Sequence, residues 1–165
     1  MTHPNQEQEL PAKKAVVTAL LAATREQCAA VERVAAMARD EASSDESRSE
    51  GKYDTRATEA SFLARGQAAR VDDLRRARSW LEVVQVQPCV RAEVGALVEV
   101  RMRERAELLY IAPMTTPSVV VEGRTVRVIA AHSPLGAALV DAAAGDSFEV
   151  EGPHGTLVGE VLAVA

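Results

Sequence analysis

The chain has 165 residues, 47% of them hydrophobic but only 3% aromatic, and a net charge of −5. That length allows one ordinary domain or two small ones around an aliphatic, alanine-rich core, and the negative charge excludes generic nucleic-acid binding by bulk electrostatics. No apolar run approaches the roughly 20 residues that cross a membrane.

Residues 1–10 are polar and lack the basic-then-apolar order of a targeting segment, so they are expected to be a disordered tail. In that context Cys28 and Cys89 read as reduced thiols of a cytoplasmic protein. Pro11 suits the first turn of a helix, where its missing N–H costs nothing. From there Val17, Leu21, Thr24, Cys28, Val31, Ala35 and Ala38 recur with alternating steps of four and three, the spacing of a coiled-coil seam. Thr24 is the polar member; its methyl can pack and its hydroxyl can bond back to a carbonyl one turn earlier. No glycine or proline interrupts residues 12–50, and a helix from Ala12 to the mid-forties would be about 50 Å long.

A second helix is expected to start near Asp54 or Thr55, either of which can cap it. Its seam would use Ala60, Leu63 or Ala64, Gln67, Val71, Leu74, Ala77 or Arg78, and Leu81. Gly66 weakens it, and Pro88 ends it at the latest. Two long helical patterns around a short polar break make a helical hairpin, assigned to residues 11–87. The acids Asp40, Glu41, Asp45, Glu46 and Glu50 gather toward its turn. They are either a tip that presents carboxylates or a solvated helix end, and Ser47 and Glu50 also have capping-box spacing. Arg65, Arg70, Arg75, Arg76 and Arg78 are either a basic face or surface arginines pairing with Glu59, Asp72 and Asp73 at helical spacing.

The texture changes after Pro88. Val98, Val100 and Met102 alternate with Glu99, Arg101 and Arg103, which is strand spacing. Residues 107–112, 119–121 and 126–128 are further strand candidates. A short helix is expected over 133–141, with Ser133 as cap and Pro134 in its first turn. Strands over 148–151 and 157–164 close the chain, joined by Gly152, Pro153, His154 and Gly155. The fold class is therefore α+β, with a sheet domain carrying one short helix over residues 88–165. His132, His154 and the two cysteines lack ligand spacing for a metal.

A helical hairpin followed by Ser133, Pro134, Ala138, Leu139, Gly145, Asp146, Pro153 and Gly155 in this order resembles the bacterial Gre transcript cleavage factors (the GreA/GreB family). The resemblance covers the chain from about Pro11 onward. It implies an antiparallel coiled coil and an FKBP-like antiparallel sheet domain. It also implies docking at the rim of the RNA polymerase secondary channel through His132, Ser133, Pro134, Leu135 and Asp146. The tip, around Ser47, Tyr53 and Asp54, would then enter the channel. There Asp45, Glu46 and Glu50 would share a Mg²⁺ ion of the polymerase to help hydrolyse backtracked RNA; such ions take one or two carboxylates plus phosphate oxygens and water. The protein would hold no cofactor of its own and would not itself be an enzyme. Nascent RNA or DNA would be met only inside the elongation complex, and no membrane would be involved. Alignment on Tyr53 puts Glu50 at the family's second tip acid but Ser47 at its first, where an aspartate is expected. A non-cleaving channel binder that competes with cleavage factors or alters pausing is the alternative. A prolyl isomerase is disfavoured, because only Tyr110 and Phe148 follow Pro88 as aromatics and a shared fold does not carry an activity.

Overall fold

The computed structural model describes residues 10–46, 55–153 and 155–165, with side chains described except at 41–46, 55–61, 63 and 64. The elements are α1 (Lys13–Glu46), α2 (Thr55–Val83), β1 (Leu97–Met102), β2 (Arg105–Ala112), β3 (Val119–Val121), β4 (Arg124–Ala130), α3 (Pro134–Leu139), β5 (Ser147–Gly152) and β6 (Gly155–Val164). Contacts divide the chain into two compact units, Leu21–Val83 and Met1–Leu20 with Val84–Ala165.

The unit Leu21–Val83 is an antiparallel helix pair. Helix α1 begins at Lys13, so Pro11 lies just ahead of the helix rather than in its first turn, and the Ala12 carbonyl between them accepts from Ala15 and Val16 N–H at 2.8 and 3.1 Å. Helix α2 stops at Val83, ahead of Pro88, in a stretch (Val83, Val84, Val86) whose branched side chains lose rotamer freedom in a helix. Two cross-helix ion pairs fix the register: Arg25–Glu82 at 2.9 Å and Glu32–Arg75 at 2.8 Å. Going from one pair to the other advances seven residues on each helix, two turns of a coiled-coil seam. Each pair is about half exposed, so it adds little net stability and acts mainly on register.

Between the helices Thr24, Cys28 and Ala35 of α1 and Val71, Leu74, Ala77 and Leu81 of α2 are buried. The expected seam differs at three members: Leu21 and Val31 are only half-buried and Ala38 is exposed. No side chain from Ala36 to Asp40 is buried, so the packed part of α1 ends at Ala35 among the described side chains. Thr24 also departs from expectation. Its side chain is 0% exposed, yet its hydroxyl has no hydrogen-bond partner. The back-bond to a carbonyl one turn earlier is made instead by Thr18, to Lys14 O at 2.8 Å. A buried, unpaired hydroxyl carries its full desolvation cost, so Thr24→Val should stabilise the hairpin by about 1 kcal/mol. Chemical denaturation followed by helical circular dichroism checks this; a loss of stability would refute it.

The other unit is built on one six-stranded sheet in the order β3-β4-β2-β1-β6-β5. The expectation of an antiparallel sheet is corrected here: β2 and β4 pair in parallel, Leu108 to Ala112 lying against Val126 to Ala130, and the sheet is mixed. The other pairings among the described residues are antiparallel. The parallel pair arises because residues 113–118 carry the chain past β4 before β3 turns it back through Glu122 and Gly123, both left-handed (φ 52° and 76°). Strand β2 is central, and from Leu108 to Ala112 every side chain is buried, as for a strand covered on both faces.

One face of the sheet carries a core of Val98, Val100, Met102, Leu109, Ile111, Ile129, Phe148 and Val161, joined by Leu139 of α3. Phe148 lies across its partner Gly159; an added Cβ there would come within 2.3 Å of the ring. Helix α3 stops at Leu139 rather than reaching residue 141, as expected from sequence. Val140 turns extended, Asp141 is left-handed (φ 68°), and the backbones of Asp141 and Ala142 bond to Ala92 at 2.8 and 2.7 Å. Those groups are satisfied by the chain entering the sheet domain, so the helix gains nothing by continuing.

On the other face Tyr110 is 1% exposed. Burial, and then the charge of a Cys89 thiolate, push its phenol up to about 12 from an ordinary 10. The unfolded chain therefore loses this proton first. Stability should be unaffected by this group below about pH 10 and fall by about 2–3 kcal/mol as pH rises through 12. That part of the alkaline slope should vanish in Tyr110→Phe, as measured by denaturation at stepped pH.

Candidate functional site

The turn between β4 and α3 is assembled by Ser133. Its backbone N–H and its hydroxyl both donate to Ala130 O, at 2.9 and 2.7 Å. The same hydroxyl accepts from Gly136 N at 3.1 Å, capping α3, with Pro134 in the first turn as the sequence predicts. Ser133 is thus occupied by its own turn, and its neighbours face outward: His132 and Pro134 are exposed and Leu135 is half-buried. The turn can lie this close to β4 because residue 136 is glycine. A Cβ there would sit 2.1 Å from Ala130 O and 2.9 Å from Ala131 Cα.

Leu135 opens onto a cleft of about 600 Å³ lined by Met102, Arg103, Arg105, Glu107, Arg127 and Leu157 as well. Arg127 is paired with Glu107 at 3.2 Å, whereas neither Arg103 nor Arg105 makes an ion pair among the described residues. The cleft therefore combines an apolar patch (Met102, Leu135, Leu157) with net positive charge. That is suited to an acidic, amphipathic protein element. Sequence reasoning missed this part of the site, because continued alternation placed Arg103 on the face opposite Met102. Instead Arg103 and Glu104 form the β1–β2 turn, both left-handed (φ 48° and 64°), and Met102 pairs with Arg105. Non-glycine residues at positive φ cost of order 1–3 kcal/mol each and mark turns worth attention.

The structure gathers His132, Ser133, Pro134 and Leu135 in one turn. Asp146 lies elsewhere, in the turn leading into β5, against which α3 packs. Its carboxylate accepts from Ala143 N at 2.8 Å and its carbonyl from Val161 N at 2.8 Å, so it organises its own loop. Of the arginines on α2, Arg75 pairs with Glu32 and Asp72, Arg76 with Asp73 and Arg78 with Glu82; Arg65 and Arg70 are exposed.

The tip assignments, Ser47, Glu50, Tyr53 and Asp54 together with the side chains of Asp45 and Glu46, lie outside the described residues, as does the tail over 1–9. Among the described residues no group of three or more His, Cys, Asp or Glu could hold a metal ion. No helix among them is long and apolar enough to cross a membrane.

The described residues define an α+β protein: a two-helix hairpin and a mixed six-stranded sheet bearing one short helix. No protein-family model and no curated protein matches the chain. Among solved structures it is similar to the transcription factor Gfh1, with 18% identity, 88% of this chain and 93% of that chain covered, and a TM-score of 0.39. It is similar to GreA factor homolog 1 (Gfh1) of Thermus thermophilus, with 19% identity, 89% and 95% coverage and a TM-score of 0.38. The prokaryotic transcription elongation factor GreA/GreB from Nitrosomonas europaea aligns at 28% identity over 58% of this chain and 78% of that chain, with a TM-score of 0.34. TM-scores this low leave the likeness without weight, and any functional reading rests on the residues themselves.

Proposed function

We propose that this chain is a Gre-like transcription elongation factor. In this reading it docks on RNA polymerase at the secondary channel through the turn of residues 132–135 and the adjoining cleft, and carries the acids of its hairpin tip to the polymerase active site. The observation that carries the proposal is the Ser133-capped turn. It leaves Pro134 exposed and Leu135 half-buried at a cleft that joins an apolar patch to Arg103 and Arg105, neither of which makes an ion pair among the described residues. The motif around Ser133 and the hairpin that precedes it, both read from sequence, support the same assignment. The chain's own residues supply binding and position; hydrolysis belongs to the polymerase. Its Mg²⁺, when bound near Asp45, Glu46 and Glu50, would supply Lewis-acid chemistry toward backtracked RNA.

Ser47, where the family has an aspartate, favours a second reading: a channel binder that does not stimulate cleavage. One set of measurements tests both. Pro134→Ala combined with Leu135→Asp should weaken polymerase binding more than tenfold, because an aspartate then meets the apolar patch and must be desolvated. Asp45→Asn, Glu46→Gln and Glu50→Gln together should leave that affinity intact and remove any RNA cleavage in stalled elongation complexes. Wild-type affinity in the docking variant refutes the docking surface. Wild-type protein that displaces a cleavage factor without stimulating cleavage selects the second reading, and Ser47→Asp should then confer the activity.

A further inference from the structure

Lys13, the first residue of α1, is 9% exposed although it is a lysine. Its ammonium donates to Gln87 O at 2.5 Å and to Cys89 Sγ at 3.1 Å. The carbonyl alone accounts for a buried lysine that satisfies the chain leaving α2. The sulfur contact is an additional feature, and it places an amine nitrogen against a thiol that is only partly buried, at the edge of the sheet core. The other titratable group facing this sulfur is the Tyr110 phenol, buried and held in its neutral form. Cys28 is the internal contrast. It is 1% exposed, its thiol is pushed up by burial and by Glu32, and its sulfur faces the Glu32 carboxylate at 3.7 Å rather than an amine.

We propose that Lys13 and Cys89 are a peroxide-driven modification site that closes a sulfenamide cross-link. The Cys89 sulfur attacks hydrogen peroxide: an S–O bond forms, the O–O bond breaks, and the departing hydroxide takes up the thiol proton as water. The sulfur is oxidised by two electrons and the peroxide is reduced, giving a sulfenic acid. The Lys13 side-chain nitrogen, as the neutral amine, attacks that sulfur. An S–N bond forms, the S–O bond breaks, and the leaving hydroxide takes the amine proton as a second water. Proximity favours this closure over further oxidation, since nitrogen and sulfur already touch in the resting protein. The product joins the first turn of α1 to the segment after α2, so the whole hairpin becomes a covalent ring that a thiol reductant reopens. This site is independent of polymerase binding.

The test treats the full-length protein with hydrogen peroxide and analyses tryptic peptides by mass spectrometry. The expected product is a joined peptide containing Lys13 and Cys89, about 2 Da lighter than its two parts together. It should be lost on adding dithiothreitol, absent in Lys13→Arg and in Cys89→Ser, and retained in Cys28→Ser. Circular dichroism confirms that each variant is folded, and in Lys13→Arg the peroxide should drive Cys89 on to sulfinic acid. Sulfinic acid at Cys89 in the wild type without a Lys13-linked peptide overturns the proposal. So does a mass loss that disappears in Cys28→Ser, which would mean a disulfide.

Discussion

Gly136→Ala should destabilise the sheet unit by about 3 kcal/mol while leaving the hairpin helical, and under the proposed function it should also abolish polymerase binding. The added Cβ would sit 2.1 Å from Ala130 O and 2.9 Å from both Ala131 Cα and Ala131 O, all backbone atoms at the end of a central strand. A flexible side chain could rotate away; a strand carbonyl cannot. Relief requires α3 to lift, and lifting α3 breaks the cap at Ser133 and withdraws Leu139, which is 0% exposed, from the core. Overpacking in a tight site costs about 1–3 kcal/mol, and here the lost cap adds to it. Denaturant unfolding followed by fluorescence, alongside helical circular dichroism and a polymerase binding assay, separates the effects. Unchanged stability would mean that the turn does not lie against β4 as described.

Arg124→Ala should cost about 3 kcal/mol, more than any surface ion pair in this protein. Arg124 of β4 is paired with Glu99 of β1, and the two side chains are only 17% and 16% exposed. Strand β2 lies between β4 and β1 in the sheet, so the pair bridges two strands that share no ladder and ties three together. Truncating the arginine leaves a largely buried carboxylate without its counter-charge, which is costlier than the pair is worth. For that reason Arg124→Met with Glu99→Leu should be more stable than Arg124→Ala alone. Urea denaturation of the two variants decides it, and the reverse ranking would show that Glu99 is well solvated without Arg124. The exposed pair Arg101–Glu160 offers a control, since its removal should change stability by less than about 1 kcal/mol.

Much of this fold is legible in local sequence. Unbroken helical spacing after Pro11 marks α1, alternation marks β1, and Ser133 followed by Pro134 marks the start of α3. What escapes local reading depends on partners distant in sequence. Period-two alternation is the same for parallel and antiparallel strands, so the pairing of β2 with β4 is invisible in it. The solid apolar run from Leu108 to Ala112 was the available sign of a strand covered on both faces. Helix α3 ends early because Ala92, far upstream, takes the backbone groups of Asp141 and Ala142. Thr24 keeps an unpaired hydroxyl where a local back-bond is available in principle. In the candidate site, the Ser133 cap and Pro134 in the first turn of α3 were legible as a motif, but the place of Arg103 and Arg105 was not. Their place at the cleft follows from a left-handed two-residue turn that carries none of the usual asparagine or glycine.

The register of the hairpin also sets a rule for how such a protein can change length. Arg25–Glu82 and Glu32–Arg75 repeat at seven-residue intervals on both helices. An insertion on one helix alone would throw charges and seam out of phase beyond it. An insertion of seven on each helix restores both, and extends the pair by about 10 Å. The length of the helix pair is therefore quantised: it grows in matched steps of two turns, or else the seam must be rebuilt.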